Sequence, residues 1–117
     1  MPKSVLIVDD HPGFRASARR MLEASGYAVV GEAADGEAGI AAAGALAPDL
    51  VLLDVQLPDL DGFEVATRLR ALDRAPEVVL TSSRDRADFG DAVRESPARG
   101  FIAKAELSGQ ALAELVG

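Results

Sequence analysis

Five short apolar stretches, separated by segments with helical periodicity, constrain the fold more than any other feature. They are SVLIV (4–8), YAVVGEA (27–33), DLVLLD (49–54), EVVLTS (77–82) and GFIAK (100–104). Short continuous apolar runs are typical of strands that are buried on both faces of a parallel sheet. Parallel strands need crossover connections, so the alternation predicts a doubly wound α/β domain with five strands and five helices.

The segments between these strands carry the start and stop signals of helices. In the first, apolar side chains recur at helical spacing at Phe14, Ala18, Met21 and Leu22. Pro12 lies near the start of that helix and Ser25-Gly26 at its end, as expected for helix termini. The spacing predicts further helices over residues 35–49, 62–72, 85–95 and 107–117, the last with Ser108 as its N-cap.

Length and composition exclude several classes of protein. A chain of 117 residues without an internal repeat or a linker predicts one domain over residues 1–117. The absence of cysteine excludes disulfides, thiol catalysis and zinc–thiolate sites. No apolar run approaches the ~20 residues of a membrane span, and the N-terminus lacks a signal peptide pattern. The net charge of −7 argues against direct contact with nucleic acid. Together these features predict a cytoplasmic protein with no membrane contact.

The chemically active residue types cluster where the predicted strands end. Asp9 and Asp10 follow the first strand and Asp54 ends the third. Thr81 and Ser82 end the fourth strand, and Lys104 ends the fifth. Sites in doubly wound sheets form at the carboxyl edge of the strands. We therefore expect three carboxylates, a hydroxyl and an ammonium group to converge there.

Three crowded carboxylates stay ionised together only if a cation compensates their charge. Oxygen ligands without histidine or cysteine favour a hard ion, and Mg²⁺ accepts a few carboxylates while it keeps bound water. Asp54 is placed to act as the nucleophile toward a phosphoryl group, which would give an acyl phosphate. Lys104 and the Thr81 hydroxyl would then hold phosphoryl oxygens, on which negative charge is spread during transfer.

Four motifs give the chain its family resemblance. VLIVDDHPGFR, PDLVLLDVQLPDLDGFEV, VVLTSS and GFIAK resemble the receiver domain of two-component response regulators, and the resemblance covers essentially the whole chain. It implies a flavodoxin-like, CheY-like three-layer sandwich with strand order 2-1-3-4-5. It also implies a phosphoprotein of bacterial signal transduction, in which Asp54 accepts a phosphoryl group from a histidine kinase. By the same resemblance, Asp10 binds Mg²⁺ directly, Asp9 largely through water, and Gln56 through its backbone carbonyl.

The resemblance leaves some assignments open. Thr81 aligns as the hydroxyl that senses phosphorylation, whereas counting back from Lys104 selects Ser82 as a second choice. Phe101 is either an aromatic switch that turns inward on activation or a core residue at the edge of the sheet. His11 is expected to be a loop residue beside the site. Asp59 and Asp61 are expected to be exposed turn residues.

Two other functions are compatible with the same residues. One is a pseudo-receiver that is not phosphorylated and acts as a protein-binding module. The other is an Mg²⁺-dependent phosphatase of the haloacid dehalogenase kind, which usually needs a second acid at the position of Gln56. A receiver would have no enzymatic activity beyond its own phosphorylation and dephosphorylation.

The signalling output is a further open point. The resemblance implies either a stand-alone receiver with a downstream protein partner or a fragment that lacks a C-terminal output domain. The final helix, with no linker after it, favours the stand-alone form. Phosphorylation could also drive formation of a homodimer.

Overall fold

The fold is known from a computed structural model that describes residues 2–116 and contains a five-stranded parallel sheet. Its strands are β1 (Ser4–Val8), β2 (Ala28–Ala33), β3 (Leu50–Asp54), β4 (Glu77–Ser82) and β5 (Gly100–Ala103). The spatial order is β2-β1-β3-β4-β5, and every neighbouring pair is parallel. The predicted strand count, strand order and doubly wound α/β class are therefore confirmed.

Five α-helices connect or follow these strands. They are α1 (Pro12–Ala24), α2 (Gly36–Leu46), α3 (Gly62–Arg70), α4 (Ala92–Glu95) and α5 (Gly109–Val116). Ser108 caps α5 as predicted, since its Oγ accepts a hydrogen bond of 3.0 Å from the Ala111 N–H. The last predicted helical residue, Gly117, lies outside the described residues. The longest helix has 13 residues, and within residues 2–116 no helix is long and apolar enough to cross a membrane.

The prediction of one helix over residues 85–95 is wrong. A 3₁₀ turn covers Arg86–Phe89, and the α4 helix that follows has only four residues. Gly90 separates the two with a φ of 57°, in the left-handed region that interrupts a helix. Ser96 then adopts an extended conformation, because the following proline disfavours a helical backbone at that position.

Alternating side chains along the strands build a separate core on each face of the sheet. One core packs α1 and α5 against the sheet and includes Val5, Ile7, Leu22, Leu52 and Leu112. The other packs α2 and α3 and includes Leu6, Val8, Leu53, Val65 and Leu69. With both faces covered, the strands are apolar along their whole length, and polar side chains collect where the strands end.

Candidate functional site

Two aspartates and a lysine from three separate strands meet at the carboxyl edge of the sheet. Asp9 directly follows β1, Asp54 ends β3 and Lys104 directly follows β5. Lys104 Nζ lies 2.8 Å from Asp9 Oδ2 and 3.4 Å from Asp54 Oδ2. Asp9 is fully buried and Asp54 is 2% exposed. The predicted convergence of these three residues therefore occurs, and both carboxylates are buried.

The two buried carboxyl groups differ in their protonation equilibria. Burial raises the pKa of Asp54 to about 6. The hydrogen bond from the Gln56 N–H lowers this pKa, and the neighbouring charge of Asp9 raises it. Burial also raises the pKa of Asp9, but the Lys104 ammonium and hydrogen bonds from His11 outweigh it. The pKa of Asp9 therefore lies below its ordinary value. One carboxylate is thus compensated by Lys104, while the other lacks enough positive charge nearby.

Four residues present atoms that could bind one metal ion. One ligand atom each from Asp9, Asp10, His11 and Asp54 lies within 4.8 Å of the other three. The carboxylate oxygens form the donor set that Mg²⁺ prefers, and Asp10, whose side chain is 35% exposed, keeps the site open to water. The Gln56 N–H donates a hydrogen bond of 3.1 Å to Asp54 Oδ1, so Gln56 lies beside the same cluster. The predicted acidic residues therefore fit a hard divalent cation.

Thr81 and Ser82 have different surroundings. Thr81 is in register with Asp54 on the neighbouring parallel strand, so the two side chains extend from the same face of the sheet. Thr81 is fully buried, and its Oγ1 has no hydrogen-bond partner within residues 2–116. Ser82 Oγ accepts a 3.1 Å hydrogen bond from the Arg84 N–H and lies 3.4 Å from Gln56 Oε1. Thr81 is therefore the hydroxyl that is available beside Asp54.

Phe101 lies in β5 and packs against the core formed by α2 and α3. Its ring centroid is 5.8 Å from that of Phe89, which in turn is 5.9 Å from that of Phe63. Phe101 also lines a cleft of about 510 Å³ at the β5 edge of the sheet. The ring is only partly buried. It therefore has core contacts on one side and open space on the other.

The loop from β3 to α3 contains two aspartates whose roles the sequence analysis missed. Both are exposed, as predicted, but each binds a helix N-terminus. Asp61 caps α3, with its Oδ1 accepting a 2.8 Å hydrogen bond from the Glu64 N–H. This role was readable from the sequence, because Asp three residues before an acidic residue is a typical capping pattern.

Asp59 reaches a different helix. Its carboxylate accepts hydrogen bonds of 2.7 Å and 2.9 Å from the Gly36 and Glu37 N–H groups at the start of α2. These hydrogen bonds hold the pKa of Asp59 below its ordinary value. The contact joins residues more than twenty positions apart, so no local pattern could have revealed it. It fastens the loop that carries Gln56 to the α2 helix.

Gly62 is required for the close approach of α3 to β3. A Cβ atom at this position would lie 2.6 Å from the Asp54 carbonyl oxygen and 2.7 Å from the Val55 Cα. Both neighbours are backbone atoms that cannot move aside cheaply. The glycine therefore lets the loop after Asp54 turn back tightly into α3.

Comparison with known proteins identifies close relatives over the whole domain. Residues 5–116 match the model of the family described as "Response regulator receiver domain". The transcriptional regulatory protein PdtaR of Mycobacterium tuberculosis is 36% identical over 104 residues, which are 89% of this chain and 50% of PdtaR. A protein-glutamate methylesterase/protein-glutamine glutaminase of Anaeromyxobacter dehalogenans is 44% identical over 108 residues, which are 92% of this chain but 31% of that protein.

Solved structures agree with the sequence matches. The signal receiver domain of NarL from Mycobacterium tuberculosis superposes with a TM-score of 0.84 at 35% identity. The superposition covers 99% of this chain and 98% of that one. By contrast, the chain spans about half the length of several curated relatives that it matches. The similarity is therefore to one domain of those proteins.

Proposed function

Because the chain belongs to the response regulator receiver domain family, we propose that Asp54 accepts a phosphoryl group from the phosphohistidine of a histidine kinase. Asp10, Asp9, Asp54 and the backbone carbonyl of Gln56 would bind Mg²⁺. Lys104 and Thr81 would bind the phosphoryl oxygens. The domain then acts as a switch, with no enzymatic activity beyond its own phosphorylation and dephosphorylation.

One observation supports this proposal above the others. Asp54 is buried beside a second carboxylate and a lysine, and a buried hydroxyl without a hydrogen-bond partner among the described residues is in register with it. A hydroxyl that is buried without a partner costs free energy. A phosphoryl group on Asp54 would supply the missing acceptor. The same arrangement disfavours a pseudo-receiver, which would not need the lysine or the free hydroxyl.

The reaction proposed is a direct transfer between two side chains. An Asp54 carboxylate oxygen forms a bond to phosphorus while the phosphorus–nitrogen bond of the kinase phosphohistidine breaks. The bonding electrons leave with the imidazole, which takes up a proton, and Asp54 becomes an acyl phosphate. Lys104 balances negative charge on the phosphoryl oxygens. A bound Mg²⁺ supplies positive charge that keeps Asp54 ionised, and only the ionised carboxylate is a competent nucleophile.

The switch would involve Thr81 and Phe101. The Thr81 hydroxyl would donate a hydrogen bond to the phosphoryl group, and its displacement would open space into which the Phe101 ring turns. Phenylalanine has no hydroxyl, so coupling would depend on packing alone. If the Phe101 ring keeps a single rotamer with and without a phosphate mimic, this part of the proposal is wrong.

The partners follow from the family and remain part of the proposal. A histidine kinase would supply the phosphoryl group in the cytoplasm. The relatives that are transcriptional regulators are about twice as long as this chain. The signalling output would accordingly come either from a separate protein partner or from a further domain. A phosphorylation-dependent homodimer would be one form of the switch.

The test is intact-mass measurement after incubation with Mg²⁺ and acetyl phosphate or phosphoramidate. We expect a gain of one phosphoryl group that is absent in Asp54→Asn and in a sample without metal. Lys104→Ala should reduce the yield and leave the site of phosphorylation unchanged.

A wild-type protein that binds Mg²⁺ and beryllofluoride but gains no mass would indicate rapid dephosphorylation. A protein that binds Mg²⁺ but neither beryllofluoride nor a phosphoryl group would contradict the proposal and favour the pseudo-receiver.

A further inference from the structure

His11 occupies a fixed position at the entrance to the carboxylate site. It is the N-cap residue of α1, and its backbone N–H donates a hydrogen bond of 2.8 Å to Asp9 Oδ1. Its carbonyl oxygen accepts a hydrogen bond of 3.1 Å from the Arg15 N–H. Pro12 restricts the backbone immediately after it. The backbone of His11 is thus held on both sides, although its side chain is 65% exposed.

The Nδ1 atom of the imidazole lies against the carboxylates, although most of the ring is exposed to solvent. His11 Nδ1 lies 3.0 Å from Asp9 Oδ1 and 3.1 Å from Asp10 Oδ1. Asp10 Oδ1 is buried and accepts no hydrogen bond from any of the residues 2–116. Without a metal, His11 Nδ1 forms a hydrogen bond with Asp9 Oδ1, and the same nitrogen lies close enough to both oxygens to be a further ligand atom for a cation bound there.

The spacing of these three atoms suits one metal ion. Two ligand atoms that lie about 2.1 Å from a metal at a right angle are about 3.0 Å apart. The two distances from His11 Nδ1 have this value within about 0.1 Å. The site is also more than an acidic cluster, because the fully buried Thr81 hydroxyl, unpaired among the described residues, is in register with Asp54.

We propose that His11 Nδ1 is a ligand for first-row transition ions bound by the same carboxylates, and that it contributes nothing to binding of Mg²⁺. This inference rests on the cation site of the proposed function and adds to it a residue that distinguishes between ions. Imidazole nitrogen is a good ligand for Co²⁺, Ni²⁺ and Zn²⁺, whereas Mg²⁺ keeps oxygen ligands and water. The site would then bind either Mg²⁺ or a first-row transition ion, and His11 would be a ligand only for the transition ion.

The test compares Co²⁺ and Mg²⁺ binding to the wild type and to His11→Ala by calorimetry at one pH. We expect His11→Ala to weaken Co²⁺ binding by at least about tenfold and to change Mg²⁺ affinity by less than about twofold. Gly13→Ala is the matched control, since it alters the same exposed helix start and its added Cβ would meet no atom within 4 Å. It should bind both ions like the wild type.

A spectroscopic measurement provides a direct readout of the proposed bond. His11 is the only histidine in the chain, so its imidazole signals need no further assignment. In the Co²⁺ form we expect the imidazole proton signals to carry a contact shift transmitted through a coordinate bond, in addition to the through-space shift of any ring near the ion.

Several outcomes would overturn the inference. In His11→Ala, these are an unchanged Co²⁺ affinity, an equal loss of affinity for Co²⁺ and Mg²⁺, and a gain of affinity for both ions. The last would mean that the His11 ring obstructs the metal site and does not bind the ion. None of these bears on the proposed function, which fails only if the wild type gains no phosphoryl group and no beryllofluoride with Mg²⁺.

Discussion

The carboxyl group of Asp54 is held in an environment that opposes its own charge. Its side chain is almost fully buried, and the neighbouring Asp9 carries the same charge. Lys104 is shared between the two, and it lies closer to Asp9. The folded domain therefore stores unfavourable electrostatic energy at the residue on which the proposed chemistry depends, and a bound cation relieves it.

We predict that Asp54→Asn stabilises the domain in the absence of metal. The pKa of Asp54 is raised in the folded state, so the folded state binds this proton more tightly than the unfolded state does. Stability is consequently lost as the pH rises from about 4 through about 6. At pH 7 the substitution should increase the free energy of unfolding by about 3 kcal/mol, measured by urea denaturation in EDTA. The difference should vanish toward pH 4.

Asp49→Asn is a control of opposite sign. The backbone N–H and the hydroxyl of Ser4 both bind the Asp49 carboxylate and hold its pKa below its ordinary value. Its contribution to stability is present above about pH 4 and is lost as the pH falls. This variant should therefore be less stable than the wild type at pH 7. A loss of stability in Asp54→Asn at pH 7 would contradict the argument.

We predict opposite effects of removing the two neighbouring hydroxyls. Thr81→Val removes a buried hydroxyl that has no partner among residues 2–116 and keeps the shape of the side chain. It should raise the free energy of unfolding by about 1 kcal/mol and slow phosphorylation. Ser82→Ala breaks the hydrogen bond from the Arg84 N–H and should cost about 1 kcal/mol. Urea denaturation and phosphorylation time courses would check both, and a slower reaction in Ser82→Ala alone would make Ser82 the sensing hydroxyl.

At the scale of elements, the part of the chain after β4 differs from the rest. The four remaining helices have eight residues or more, whereas α4 has four and is preceded by a glycine in the left-handed region. A helix of one turn contributes little stability by itself. Phe89 packs against the core formed by α2 and α3 and Val93 is buried, so the position of this segment depends on packing against the sheet.

We predict that Asp59 stabilises the contact between the β3–α3 loop and α2. Asp59→Ala leaves the first N–H groups of α2 without their acceptor and should lower the Tm by a few degrees. It should also weaken Mg²⁺ binding, because the same loop carries Gln56. Asp59→Asn keeps one acceptor oxygen, so its Tm and Mg²⁺ affinity should lie between those of the wild type and Asp59→Ala. Thermal denaturation and calorimetric titration with Mg²⁺ provide the two measurements.

Asp73→Ala is the matched control for this experiment. Asp73 is exposed, and among residues 2–116 it makes no hydrogen bond or ion pair. Its loss should change neither the Tm nor the Mg²⁺ affinity. If Asp59→Ala behaves like Asp73→Ala in both measurements, the contact with α2 has no role in holding the loop.

At the scale of the whole molecule, metal binding and folding should be coupled. The carboxylates come from β1 and β3 and the lysine from the end of β5, so the unfolded chain has no such site. We predict that Mg²⁺ at a concentration of 100 times its Kd stabilises the wild type by about 2.7 kcal/mol. Urea denaturation with and without Mg²⁺ measures this, and an equal gain in Asp54→Asn would show that the ion binds elsewhere.

The sequence by itself determined the strand count, the doubly wound class and the edge of the sheet that carries the chemistry. Each of these depends on local patterns, because apolar runs bounded by aspartate, threonine or lysine define where buried strands end. Asp9, Asp10, Asp54 and Lys104 could be predicted to meet for that reason. Gln56, and the different ways in which Asp9 and Asp10 would bind Mg²⁺, were taken from the family resemblance.

Only the tertiary structure decided which side chains face one another. The pairing of Asp54 with Thr81 depends on strand register, and a shift of one residue would have presented Ser82 instead. The attachment of Asp59 to α2 likewise depends on a distance across loops, and the position of the His11 ring against Asp10 depends on the side-chain conformations. The helix over residues 85–95 was mispredicted because its apolar spacing is helical, whereas Gly90 adopts a backbone conformation that a helix cannot accommodate.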